Sequence, residues 1–106
     1  MTTLSDQEFR VKSDEALEDA RDALLPLADE REFEVELQNG VLNVIFEEPR
    51  DARFVVSPNA PVRQIWVSAM SRSFKLTWDV GRGVFSLGDE ALSDLLIRLA
   101  SEFLAS

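Results

Sequence analysis

The chain has 106 residues, 45% of them apolar, with no cysteine, no histidine and a net charge of −9 at pH 7. That composition allows one modest core without covalent staples, and the missing Cys and His exclude disulfides, Cys/His zinc sites, thiol nucleophiles and histidine acid–base catalysis together. No apolar run approaches the ~18 residues needed to cross a bilayer, and MTTLSDQEF has neither the basic nor the apolar region of a signal peptide, so a cytoplasmic protein of bacterial type is expected.

The first element is a helix. Ser5 and Glu8 fit a capping box, and Leu4 with Phe9 fits the hydrophobic staple that accompanies it. Phe9, Ala16, Leu17, Ala20, Leu24 and Leu27 recur at three- and four-residue spacing as one apolar stripe. Pro26 predicts an end or a kink near Leu25, because it cannot donate a backbone hydrogen bond and disfavours helix at the residue before it. Next, EFEVELQNGVLNVIFEE alternates glutamates with Phe33, Val35 and Leu37. Asn39-Gly40 predicts a two-residue hairpin turn with positive φ at both positions. That turn pairs Leu37 with Leu42, Val35 with Val44 and Phe33 with Phe46, placing all six on one face.

Further strands are expected at about 52–57, 64–70, 73–78 and 84–87, joined by short links in an antiparallel meander. Asp89 reads as the N-cap of a last helix over about 90–104, whose Leu92, Leu95, Leu96, Leu99 and Phe103 form a second apolar stripe. Two amphipathic helices at the chain ends must cover one face of the sheet. The fold class is therefore α+β: a two-layer α-β sandwich with an antiparallel meander of about six strands and both terminal helices on one face, in a single domain over 1–106.

The charge is unevenly placed. Residues 1–48 hold 14 acidic and four basic side chains, a net of −10, whereas 49–106 hold six and seven, a net of +1. Such a chain repels nucleic acid and anionic membrane, and attracts cations and basic protein surfaces. Asp14, Glu15, Glu18, Asp19 and Asp22 lie opposite the apolar stripe and make five like-charge i,i+3 and i,i+4 pairs, each costing roughly 0.2–0.5 kcal/mol in an isolated helix. Arg21 is spaced to offset Glu18, and Glu8 is spaced to pair with Lys12. Asp29, Glu30, Glu32, Glu34 and Glu36 extend the acidic surface through the loop and along the first strand. Carboxylates on alternate strand positions stand roughly 7 Å apart, too open for a preformed cage but suited to weak, exposed binding of hard cations.

Within PVRQIWVSAM, strand alternation sets Arg63, Ile65, Val67 and Ala69 against Gln64, Trp66, Ser68 and Met70. Trp66 thus shares its face with polar residues, where a large aromatic serves as an anchor for a protein partner or lies under a loop. Trp78, in phase with Phe74 and Leu76, reads as core. Gly81-Arg82-Gly83 reads as a hairpin turn, not a phosphate loop.

The acidic first helix, NGVLNVIF, SPNAPVRQIWVSA, SFKLTW and ALSDLLIRLASEFL follow one another as they do in the frataxin family, which residues 5–104 resemble. RQIWVSA is the most specific of these elements. The resemblance implies iron binding at an acidic ridge on the first helix and first strand. It also implies a non-catalytic role in iron–sulfur cluster assembly, through contact with a cysteine desulfurase and a scaffold protein. Asp22, Glu30, Glu32, Glu34 and Glu36 match acidic positions of bacterial relatives, whereas Arg21, Leu25, Pro26 and Ala28 stand where those relatives tend to be acidic. The metal ligands implied are Asp14, Glu15, Glu18, Asp19, Asp22, Glu30, Glu32, Glu34 and Glu36, holding Fe2+ or Fe3+ weakly. The partner surface implied is Asn59, Arg63, Gln64, Trp66 and Ser68. A monomer is expected, with iron-dependent oligomers. Two other readings are a ferroxidase, which would oxidise ferrous iron with oxygen, and an acidic interaction module for which cations only screen charge.

Overall fold

The computed structural model describes residues 4–106, so the first three residues of the expected 1–106 domain, and the start of the MTTLSDQEF stretch, lie outside the described residues. Helix α1 runs from Asp6 to Arg31. Its start is the expected capping box: the Glu8 N–H donates to Ser5 Oγ at 3.1 Å and the Ser5 N–H donates to Glu8 Oε1 at 2.9 Å. Leu4 and Phe9 are both buried beside it, as a staple requires.

Pro26 does not end α1, which continues for five more residues. Pro26 and Asp22, the residue whose carbonyl loses its helical partner, are both exposed, so water can serve that carbonyl. Leu24 and Ala28 are buried on either side and anchor the helix across the gap. The helix stops at Glu32, which takes a left-handed conformation (φ 58°) and donates its N–H to the Ala28 carbonyl.

Seven antiparallel strands follow in sequence order: β1 (Glu34–Gln38), β2 (Val41–Phe46), β3 (Ala52–Asn59), β4 (Gln64–Ala69), β5 (Arg72–Asp79), β6 (Val84–Leu87) and β7 (Glu90–Ala91). The β1–β2 hairpin has the expected register, with Leu37 opposite Leu42 and Val35 opposite Val44. Asn39 and Gly40 both have positive φ, the geometry that lets a two-residue turn follow the strand twist. The Phe33 and Phe46 rings lie 4.8 Å apart just beyond the ladder. The β4–β5 turn falls at Met70-Ser71, one residue earlier than expected, with both residues at positive φ.

The seventh strand corrects the reading of Asp89. Gly88 and Asp89 form a tight turn between β6 and β7, and Ala91 pairs with Ser86 before the helix begins. Helix α2 therefore runs from Leu92 to Leu104 with Ala91 at its N-cap and no side-chain cap. It buries Leu92, Leu95, Leu96, Leu99, Ala100 and Phe103. Both helices lie against one sheet face, where Leu42, Val44, Phe46, Phe54, Val56, Ile65, Val67, Leu76 and Phe85 complete the core. Phe103 reaches Phe46 at 4.6 Å, and Phe9 meets Phe85 edge-on at 5.7 Å. Trp78 is only half-buried; it packs on Phe85 at 5.1 Å at the margin of this core.

Candidate functional site: an acidic helix and an open sheet face

The side of α1 opposite its buried stripe carries Asp14, Glu15, Glu18, Asp19, Asp22, Asp29 and Glu30, all exposed. Glu32 follows at the left-handed cap, and Glu34 and Glu36 stand exposed on β1, an edge strand. Two ion pairs touch this surface. Lys12 Nζ makes its ion pair with Glu15, at 3.6 Å, while still acting electrostatically on Glu8, and Arg21 Nε pairs with Asp22 at 3.2 Å rather than with Glu18. Asp14, Glu18, Asp19, Glu30, Glu32, Glu34 and Glu36 form no ion pair among the described residues. Nor do any three such side chains there converge into a metal cage. Oxygen donors spread over an open surface suit a hard cation that keeps much of its water.

The register connects this ridge to the sheet's open face. Glu36 stands opposite Asn43, Asn43 opposite Val55, Val55 opposite Ser68 and Ser68 opposite Ser73, one row across five strands. Trp66 lies on the same face as that row, between Ser57 and Lys75. Three strand spacings separate β1 from β4, about 14 Å. Glu34 and Glu36 therefore share a face with Trp66, whereas the α1 carboxylates belong to the helix layer, which covers the other face of the sheet.

Trp66 is 38% exposed, and no loop covers it among the described residues. Its Nε1 donates to Gln64 Oε1 at 2.9 Å, which fixes the ring in its plane. Lys75 Nζ sits 5.0 Å from the ring centroid, within cation–π range. Sequence reasoning overlooked Lys75, although its alternation with Ser73 and Thr77 in SFKLTW carried the signal. Ser68 is exposed beside Trp66, and Asn59, at the end of β3, faces Gln64.

Arg63 is placed differently. It ends a short 3-10 turn (Ala60–Val62) in the left-handed region (φ 53°), which takes it out of strand phase. Its guanidinium turns back to the start of α1, donating to the Leu4 carbonyl at 3.1 Å and to the Ala60 carbonyl, and pairing with Asp6. It therefore ties the β3–β4 link to α1 and stands apart from the Gln64–Trp66 pair.

The carboxylates of Glu8, at the start of α1, and Glu90, on β7, have lowered pKa values. The backbone N–H and hydroxyl of Ser5 hold Glu8 below the usual carboxylate range. Hydrogen bonds from Arg98 do the same for Glu90.

A family model described as a frataxin-like domain matches residues 2–106. The chain is 31% identical over 84 residues to an iron–sulfur cluster assembly protein CyaY of Ectopseudomonas mendocina, covering 76% of this chain and 74% of that one. It is 36% identical over 78 residues to the protein of the same name from Pseudomonas syringae pv. tomato, covering 70% and 69%. With the CyaY of Azotobacter vinelandii it shares 29% over 92 residues, 83% and 82% of the two chains. Helix, antiparallel sheet, helix and a match over nearly the whole length lead to one conclusion: the chain belongs to the frataxin family.

Proposed function

We propose that this protein serves iron–sulfur cluster assembly in the cytoplasm as a non-catalytic, iron-binding partner of the cysteine desulfurase and its scaffold. The carrying observation is the run of exposed, mostly unpaired carboxylates on α1 that turns through Glu32 onto β1 and reaches the Trp66 face. Asp14, Glu15, Glu18, Asp19, Asp22, Glu30, Glu32, Glu34 and Glu36 supply oxygen ligands for ferrous iron and negative charge for a basic partner surface. Trp66, held by Gln64 and flanked by Ser68 and Asn59, supplies the apolar anchor on the sheet face. The names of the relatives support the process, and the charge distribution supports the two kinds of contact.

An anaerobic ferrous-iron titration followed by amide NMR tests this reading, with magnesium at equal ionic strength as control. Broadening confined to residues 14–36 and absent with magnesium is the expected result. An unlocalised effect, or the same effect from magnesium, removes the iron role. Binding of the purified desulfurase then tests docking separately.

A further inference from the structure

A cleft of about 110 Å³ opens where α1 passes β6 and the start of α2. That is room for several waters, and hence for the head group of a side chain. Glu15 and Asp19, one helical turn apart on α1, line it together with Lys12, Trp78, Val84 and Leu92. Lys12 sits in this cleft, and both of its contacts with the cleft wall are loose. Its Nζ is 6.0 Å from the Trp78 ring centroid, the outer limit of cation–π range. It is 3.6 Å from Glu15 Oε1, well beyond the 2.7–2.9 Å of a good charge-assisted hydrogen bond. Asp19, on the same wall, has no ion pair among the described residues. The lysine therefore occupies a cradle of two carboxylates and an indole face, and fills it poorly.

We propose that this cleft receives an arginine side chain from a protein partner, which displaces Lys12. A guanidinium is planar and weakly hydrated; it stacks on an aromatic face and presents enough donors to engage Glu15 and Asp19 together. An ammonium is a compact point charge and serves one carboxylate at a time. The net charge of −10 over residues 1–48 provides the complementarity that brings a basic surface to this side of the molecule. The inference rests on the docking reading above only for the source of the arginine.

The test uses N-acetyl-arginine amide as probe, with N-acetyl-lysine amide and sodium chloride at equal ionic strength as controls. The chain's two tryptophans give two indole N–H signals; that of Trp78 is read, and that of Trp66 is the internal control. A saturable shift of the Trp78 signal with the arginine probe, larger than with either control, is expected. Lys12→Met should tighten the probe about two- to fivefold, the equivalent of removing a competing surface ion pair, and Asp19→Asn should weaken it by a similar factor. No saturable shift, an equal response to lysine amide or salt, or no tightening in Lys12→Met overturns the proposal. Desulfurase binding is measured on the same variants. Binding that persists while the arginine probe does nothing overturns the cleft and leaves docking intact. A normal probe response without desulfurase binding overturns docking and leaves the cleft to another basic partner.

Discussion

Helices α1 and α2 cover the same sheet face, yet their exposed charges are used in opposite ways. On α2, Arg98 donates to both Glu90 oxygens at 2.8 and 2.9 Å and to Glu102 at 2.8 Å, and Glu102 also meets Arg72 of β5 at 3.4 Å. These pairs tie α2 to β7 and to the sheet. Between Lys12 and Asp22 on α1 two cations sit among five carboxylates, and neither of their ion pairs reaches another element. Repulsion along α1 costs stability that α2's arrangement avoids.

Four measurements break or sharpen that contrast. The largest effect concerns what the helices share. Leu24→Ala on α1 and Leu99→Ala on α2 each remove a fully buried side chain, and each should lose about 2–5 kcal/mol in urea unfolding. A loss confined to one of them would mean that the inner faces are not equivalent.

The next isolates the outer face of α1. Every one of the five like-charge pairs between Asp14 and Asp22 includes Glu18 or Asp19. The double variant Glu18→Gln, Asp19→Asn therefore relieves all five while sparing the Lys12–Glu15 and Arg21–Asp22 pairs. Stability should rise by roughly 1–2 kcal/mol at low salt, and the gain should fade in 1 M salt, where the screening length is about 3 Å. A fall in stability would show that these acids serve the fold.

Trp66→Ala probes the sheet face in the same spirit. Stability should stay within roughly 0.5 kcal/mol of the parent, as for an exposed position, while desulfurase affinity falls about tenfold or more. Loss of several kcal/mol in unfolding would instead make Trp66 a core residue.

The smallest effect tests the α2 side by pH. Arg98 holds the folded-state pKa of Glu90 below its ordinary value. A depressed carboxylate stabilises the fold above its unfolded pKa and loses that contribution as pH falls through the folded value. Glu90→Gln should therefore be less stable than the parent at pH 7, and the gap should close below the ordinary value of 4.5. A gap that does not narrow at all as pH falls below 4.5 would assign Glu90 a role other than charge.

Much of this was legible in the sequence because it depends on local patterns. The Ser5–Glu8 box, the Asn39-Gly40 turn and the two apolar stripes each sit within a few residues and appear as expected. What was not legible depends on surroundings. Pro26 is tolerated because it falls on the wet side of a helix anchored by Leu24 and Ala28. Asp89 is no cap because the Ser86–Ala91 pairing extends the sheet first. Arg63 leaves its strand phase because one left-handed residue redirects it to the start of α1. At the ridge, the positions of the acids followed from periodicity, but the partners of Lys12 and Arg21 did not, since several carboxylates lie within reach of each. The link from Glu36 across the sheet to the Trp66 face needs the register of four strand pairs at once.

The strand order has a kinetic consequence. Every strand pairs only with its neighbour in sequence, so the sheet closes a series of short loops. Short loops cost little closure entropy, and a chain rich in local contacts folds quickly for its size. The distant encounter is that of the two chain ends, when α1 settles beside α2 and Phe9 reaches Phe85. The sheet can therefore form by addition of one hairpin after another, with docking of the acidic helix as the long-range step. That step must bring α1 down against its own charge repulsion, so its rate should rise with salt.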